Sequence, residues 1–151
     1  MPTAFASPTE SAQAMLRPEL LAAVAAAHPG LVAASSDDTD LTYGELDSWS
    51  NRLARVLIAR GARPGVSVAV AVSRTVESIV ARWAVAKVGA TVAPAGEPAA
   101  FGIAVKSDAV RSAATVEWLM LDDLATMRHY MTVSDAPVTD TDRSAPALVA
   151  A

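Results

Sequence analysis

The spacing of apolar positions changes several times along the chain, and each change predicts an element. The first stretch, Met1 to about Met15, mixes Ser, Thr, Pro and Ala without a sustained period and reads as a loose leader. Pro18 and Glu19 then suit a helix start: proline has no N–H to leave unpaired, and the carboxylate favours the positive end of the helix dipole. The alanine-rich run continues to His28, where Pro29-Gly30 predicts a stop. Leu31 to Ala34 suits a short strand, and Asp37 to Asp40 a turn whose side chains hydrogen-bond local backbone. Thr42 and Glu45 have the S/T-x-x-E spacing of a capping box, the clearest helix start in the chain. Behind it, Leu46, Trp49, Leu53, Ala54 and Leu57 fall on one helical face, with Asp47, Asn51, Arg52 and Arg55 mainly on the other. Gly61 is placed to end that helix in a left-handed conformation.

The pattern then switches to a near-continuous run, Val66 to Val72, after the Pro64-Gly65 turn. Small and β-branched residues without alternation suit a strand buried on both faces, as in a parallel sheet. A second amphipathic helix is predicted over Thr75 to Val88, burying Val76, Ile79, Val80 and Trp83 and stopping at Gly89. Thr91 to Pro94 is the next strand, so strand, helix and strand make a βαβ unit. Gly96 to Gly102 reads as a loop, with short strands at Ile103–Val105 and Val116–Leu121. Asp122 or Asp123 is expected to cap a helix running through Tyr130. The fold class is therefore α/β, with Rossmann-like βαβ units and a mainly parallel sheet. The expected division is a leader over 1–15, an α/β unit over 16–133 and an irregular tail over 134–151.

Composition refines this picture. Hydrophobic residues make up 52% of the chain but aromatics only 5%, so the core must be built from alanine and valine. Close packing of backbones has to compensate for the small apolar area each alanine buries. A net charge of −4 argues against a general nucleic-acid binder, which needs a concentrated basic face. With no cysteine there are no disulfides, thiolate metal sites or cysteine nucleophile. The first segment lacks a positive n-region, and Leu20–Ala27 is too short to span a bilayer, so a cytoplasmic chain without nucleic-acid or membrane partners is expected.

A more specific signal lies at Leu41-Thr42-Tyr43-Gly44-Glu45-Leu46. It resembles the L-[T/S]-Y-x-E-L motif that opens adenylation domains of nonribosomal peptide synthetases and related acyl-activating enzymes. Asn51-Arg52-Leu53-Ala54, Leu57, Gly61 and Pro64-Gly65-Val66 continue in that pattern. Ala84 to Pro94 is similar to a degenerate second motif, L-K-A-G-x-A-Y-[L/V]-P-[L/I]-D. Lys87, Gly89 and Pro94 match it, whereas Ala86, Val92 and Gly96 replace Leu, Tyr and Asp. The resemblance covers about Pro18 to Pro94, weakens where an Asp-Pro-x-x-Pro segment is replaced by Gly96-Glu97-Pro98-Ala99, and resumes near Trp118–Asp123.

This resemblance implies a shortened amino-terminal portion of an adenylation domain. The intact family uses ATP and Mg2+ to form an acyl-adenylate, which passes to a carrier-protein thiol. The family's Ser/Thr/Gly-rich phosphate loop has no counterpart among these residues. That chemistry needs clustered backbone N–H groups and a cation facing the polyphosphate. No catalytic residue therefore carries over, no metal ligand is expected, cofactor-binding residues stay unassigned, and the chain alone is expected to be inactive. The alternative is a non-catalytic module that docks on a larger synthetase or self-associates. A mean hydropathy of +0.32 fits unpaired apolar surface. An unrelated small nucleotide-binding protein is a third reading.

Other polar clusters have structural explanations. His28 suits a helix C-terminus, and His129 with Asp122 and Asp123 lacks a further ligand for a metal. Asp38-x-Asp40 and Asp140-x-Asp142 lack the glycine and distal glutamate of a calcium loop and read as solvated turns. Ser73 or Thr75 suits helix capping better than phosphate binding. Trp49 and Trp83 are expected as core anchors.

Overall fold

The structure is a computed structural model that describes residues 17–36, 39–72, 75–93, 99, 101–104, 117–121 and 123–144. Helix α1 (Pro18–Ala27) starts with proline in its first turn and ends at His28, whose N–H donates to the Val24 carbonyl. It buries Leu21 and Ala25, one helical turn apart. Strands β1 (Val32–Ser36) and β2 (Thr39–Thr42) then pair antiparallel, with a register shift between Val32 and Ala34. This hairpin corrects the sequence reading. Thr39 and Asp40 belong to a strand rather than a turn, and the first strand extends to Ser36; Asp37 and Asp38 lie outside the described residues. Asp40 is held within the ladder because its Oδ1 accepts from Ser35 Oγ at 2.6 Å. Leu41, fully buried, turns the hairpin toward the core.

Helix α2 (Tyr43–Ala59) has the predicted capping box. Glu45 N donates to Thr42 Oγ1 at 3.1 Å, and Thr42 N donates to Glu45 Oε1 at 3.0 Å. Two more first-turn N–H groups, of Tyr43 and Gly44, donate to the carbonyls of Leu31 and Pro29. The loop after α1 thus satisfies donors that a helix start leaves open. Gly61, at φ 106°, follows the other end as expected.

Strand β3 (Ser67–Ala71), helix α3 (Thr75–Val88) and strand β4 (Thr91–Val92) form the βαβ unit. A parallel sheet runs in the order β4-β3-β5-β6, where β5 is Phe101–Ala104 and β6 is Glu117–Met120. β3 lies inside the sheet, paired along both edges, but the burial on both faces expected from its apolar run is partial: Val68 is buried and its other four residues are half-buried. β5 starts two residues earlier than the pattern predicted. Gly102 inside the strand read as loop, yet it is buried between Ala69 and Trp118 in register. Val105, Val116 and the segment from Pro94 to Pro98 lie outside the described residues.

The core lies between the α2–α3 pair and the sheet, with Leu53, Leu57, Val68, Val85 and Ile103 at its centre. Ala54, Ala81 and Ala84 have no exposed surface, as a core of small side chains requires. Burial of each Leu contributes about 2 kcal/mol, and the alanines let α2 and α3 approach closely.

Two expected placements change. Trp49 is 36% exposed rather than a core anchor, because it stands at the edge of the apolar arc of α2 beside an open groove. Asn51, from the polar side of α2, is 2% exposed because later chain covers it. That later chain contains α4 (Leu124–Thr132), capped by Asp123 and two residues longer than predicted, and α5 (Asp140–Ser144). The segment expected as an irregular tail thus carries a short helix within its described part.

Candidate functional site

One group of polar residues and one apolar cavity concentrate the chemistry among the described residues. The polar group surrounds Lys87 in the last turn of α3. Its Nζ donates to Asp47 Oδ1 at 2.8 Å and to the Asp47 carbonyl at 3.0 Å, both on α2. Lys87 is 3% exposed, and burial pulls its pKa down even though the Asp47 carboxylate opposes that shift. Desolvation therefore outweighs attraction at this pair. The carbonyl of the same lysine accepts from Arg143 Nε at 2.7 Å. Lys87 is a tie between two helices, and its ammonium is engaged by Asp47.

The glycine that follows has an architectural task as well. Gly89 adopts φ 86°, and its carbonyl accepts from Gly65 N at 3.0 Å. The turn before β3 and the turn after α3 are thereby fastened together, which sets β4 beside β3. Both matched motif segments are spent on packing; Pro94 of the second lies outside the described residues.

A cavity of about 460 Å³ opens between α2, α3 and α4. Its walls are mainly apolar, with Trp49 and Leu53 on one side, Val76 and Val80 on another, and Met127 and Tyr130 on α4. Burial pushes the Tyr130 phenol up to about 12; Arg52, 5.9 Å below its ring centre, pulls the other way, and Asp135 adds to the rise. Leu124, Met127 and Met131 are 60%, 50% and 69% exposed, so α4 shows an apolar flank to solvent. Volume and lining suit a small apolar molecule better than a polyphosphate.

The remaining candidates take structural parts. His28 stands at the end of α1, where its N–H caps the helix. His129 lies in the last turn of α4, and Asp123 is engaged in capping, accepting from Thr126 N at 3.3 Å. Asp122, Asp38, Ser73 and Arg74 lie outside the described residues. Asp140 pairs with Arg143, and Asp142 accepts from Thr139 N and approaches Arg55 at 3.4 Å. Among the described residues no three His, Asp or Glu side chains converge to hold a metal ion. The glycines at positive φ serve turns: Gly61 and Gly89 follow helix ends, and Gly65 lies in the turn before β3. The described residues do not fit ATP or Mg2+. No helix of the described residues is long and apolar enough to cross a membrane.

Sequence reasoning missed Lys87 as a structural group. The available signal was a lysine at a buried helical phase, between Ala84, Val85 and Val88.

Comparison with known proteins supplies the family. Residues 21–100 match the model of the AMP-binding enzyme family, more than half of the chain. The chain is 36% identical over 141 residues to CymA of Salinispora arenicola ("probable non-canonical nonribosomal peptide synthetase"), covering 84% of this chain and 2% of that protein. Among solved structures it resembles the nonribosomal peptide synthetase FmoA3, with TM-score 0.67 and 24% identity, covering 81% of this chain and 14% of the other. It also resembles the N-terminal domain of FACL13 from Mycobacterium tuberculosis, with TM-score 0.64 and 25% identity over 80% of this chain and 37% of the other. The chain thus spans only a small part of each relative. The capping-box helix, the βαβ unit and these likenesses agree: the chain belongs to the AMP-binding enzyme family and carries the amino-terminal portion of an adenylation domain of the nonribosomal peptide synthetase kind.

Proposed function

We propose that this chain is a structural portion of the apparatus for ATP-dependent activation of amino or acyl acids and does not catalyse adenylation alone. One observation carries this reading: the motif lysine, Lys87, is 3% exposed and committed to Asp47. What the chain keeps of the family motifs serves helix and sheet placement. The unit is residues 16–133, with 1–15 as a leader and 134–151 as a tail; its setting is a larger synthetase in the cytoplasm. ATP and Mg2+ belong to the whole enzyme, and an O-succinylbenzoate–coenzyme A synthetase of Bacillus subtilis with a similar fold has been solved with AMP. The test is ATP–pyrophosphate exchange by the purified chain with a panel of amino and aryl acids. Background exchange throughout is expected, and robust exchange with any acid overturns the reading.

A second reading, a non-catalytic module that self-associates, is favoured by the exposed flank of Leu124, Met127 and Met131 beside Trp49. Apolar side chains in such a continuous array mark association surfaces. Light scattering after size exclusion should then give a mass that rises with concentration. A constant monomer mass at high concentration counts against it.

A further inference from the structure

Helix α4 is held at both ends. Before it, Leu121 N donates to the Ala104 carbonyl at 2.8 Å, continuing the β5–β6 pairing, and the Asp123 carboxylate caps its first turn. At the far end, α2 presents a polar stripe of Asn51, Arg52 and Arg55 that takes backbone carbonyls as acceptors. Arg52 donates to those of Tyr130 and Met131 at 3.4 and 3.3 Å, Asn51 to that of Asp135 at 2.9 Å, and Arg55 to those of Ala136 and Pro137 at 3.1 Å. Tyr130 Oη adds a hydrogen bond of 3.4 Å to the Trp49 carbonyl. These ties fix the position of α4 beside α2 and α3, and the cavity of about 460 Å³ is the space left between the three helices. Its mouth already opens past Trp49 and Met131, 36% and 69% exposed, so a molecule enters without movement of any wall.

The lining defines what such a molecule must be. Leu53 and Val80 are buried in the walls, Trp49 and Tyr130 contribute aromatic rings, and Met127 and Met131 contribute thioethers, groups that favour aromatic partners. The described residues of the lining include no Lys, Arg or His, so an anion entering it gives up hydration without gaining a countercharge. Water in such a space finds few polar partners, and an apolar molecule displaces it favourably. The volume falls within the range of small-molecule sites.

We propose that this cavity is a binding site for an uncharged, largely aromatic small molecule. The site needs no phosphate loop and stands whether or not the chain activates an acid.

Two probes with one aromatic skeleton test this: 1-anilinonaphthalene, which is uncharged, and its 8-sulfonate, which carries one negative charge. With the intact chain the uncharged probe should saturate at one per chain, with a dissociation constant on the order of 100 μM or tighter. It should bind roughly tenfold or more tightly than the sulfonate. Met127→Asp puts a carboxylate on the cavity wall at a half-exposed position and should weaken the uncharged probe roughly tenfold. Leu124→Asp, on the same helix and exposed but outside the lining, should leave binding unchanged. Failure to saturate, or a sulfonate bound as tightly as the uncharged probe, overturns the site on the unsubstituted chain, where no variant has to fold. Equal losses in the two variants also overturn it, by placing the probe on the exposed flank of α4. So does a probe signal that fades as the chain is concentrated while its mass by light scattering rises, which would put a second copy of the chain on this face.

Discussion

Lys87 and Asp47 lie forty residues apart, and Lys87 Nζ binds both the carboxylate and the carbonyl of Asp47, at 2.8 and 3.0 Å. The two partners stand in different surroundings, because the lysine is 3% exposed and the aspartate 21%. Removing either leaves a different remnant. Without Asp47 the remnant is a buried cation; without Lys87 it is a carboxylate that water can reach.

The two substitutions should accordingly differ. Asp47→Ala should cost about 3 kcal/mol, since an uncompensated buried charge remains. Lys87→Met should cost about 1 kcal/mol or less, since desolvation already works against the ammonium. Urea unfolding of both variants decides it. Equal losses would mean that the pair is net attractive and that solvation plays no part.

The capping box makes a separate prediction. Thr42→Ala removes the acceptor for Glu45 N and leaves a first-turn donor open. The loss should be about 1 kcal/mol, read as a lower denaturation midpoint with unchanged slope. A slope change would instead signal a chain no longer unfolding in two states.

Glycine replacements should fall in a definite order. At Gly89, φ is +86° and an added Cβ would sit 3.3 Å from Pro64 Cβ, so alanine should cost about 2 kcal/mol or more. Gly65 has the same φ with open space around it, so only the backbone cost of about 1 kcal/mol applies. Gly30→Ala meets nothing within 4 Å and serves as the near-neutral control. Thermal melts of the three variants check the ranking.

Alkaline pH should weaken the fold through Tyr130. Its phenol is held protonated up to about 12 by burial, whereas the unfolded chain releases that proton near pH 10. Between those values the unfolded state binds fewer protons, so the contribution is complete below about pH 10 and is lost as pH rises toward 12. Lys87 has the opposite sign, because its lowered pKa makes the folded chain release that proton before the unfolded chain does, so stability rises with pH until the unfolded lysine also deprotonates. Stability followed from pH 9 to 12 should therefore fall less steeply in Tyr130→Phe than in the wild type. Parallel curves would assign the decline to other groups.

Legibility from sequence followed the range of the forces involved. The start of α2 was readable because a capping box involves only residues three apart, and β3 because small and β-branched residues follow one another there without a break. The β1–β2 hairpin was not readable. Asp40 is a poor strand residue, and only its pairing opposite Ser35 holds it there. The polar stripe of α2 was visible as a helical face, but a stripe facing solvent and one facing backbone carbonyls have the same sequence. The cavity was likewise hidden, since its walls come from helices distant in sequence.

The sequence alone determined the order of the main helices and the parallel strands, the α/β class and the family, because caps, turns and periodicity act over a few residues and the motifs are contiguous. Tertiary structure decided what those residues do. It placed Lys87 against Asp47, turned Asn51 inward under Asp135, and left Trp49 at the rim of a cavity. Each outcome depends on which distant surface covers a side chain, and that is set by the packing of the whole unit.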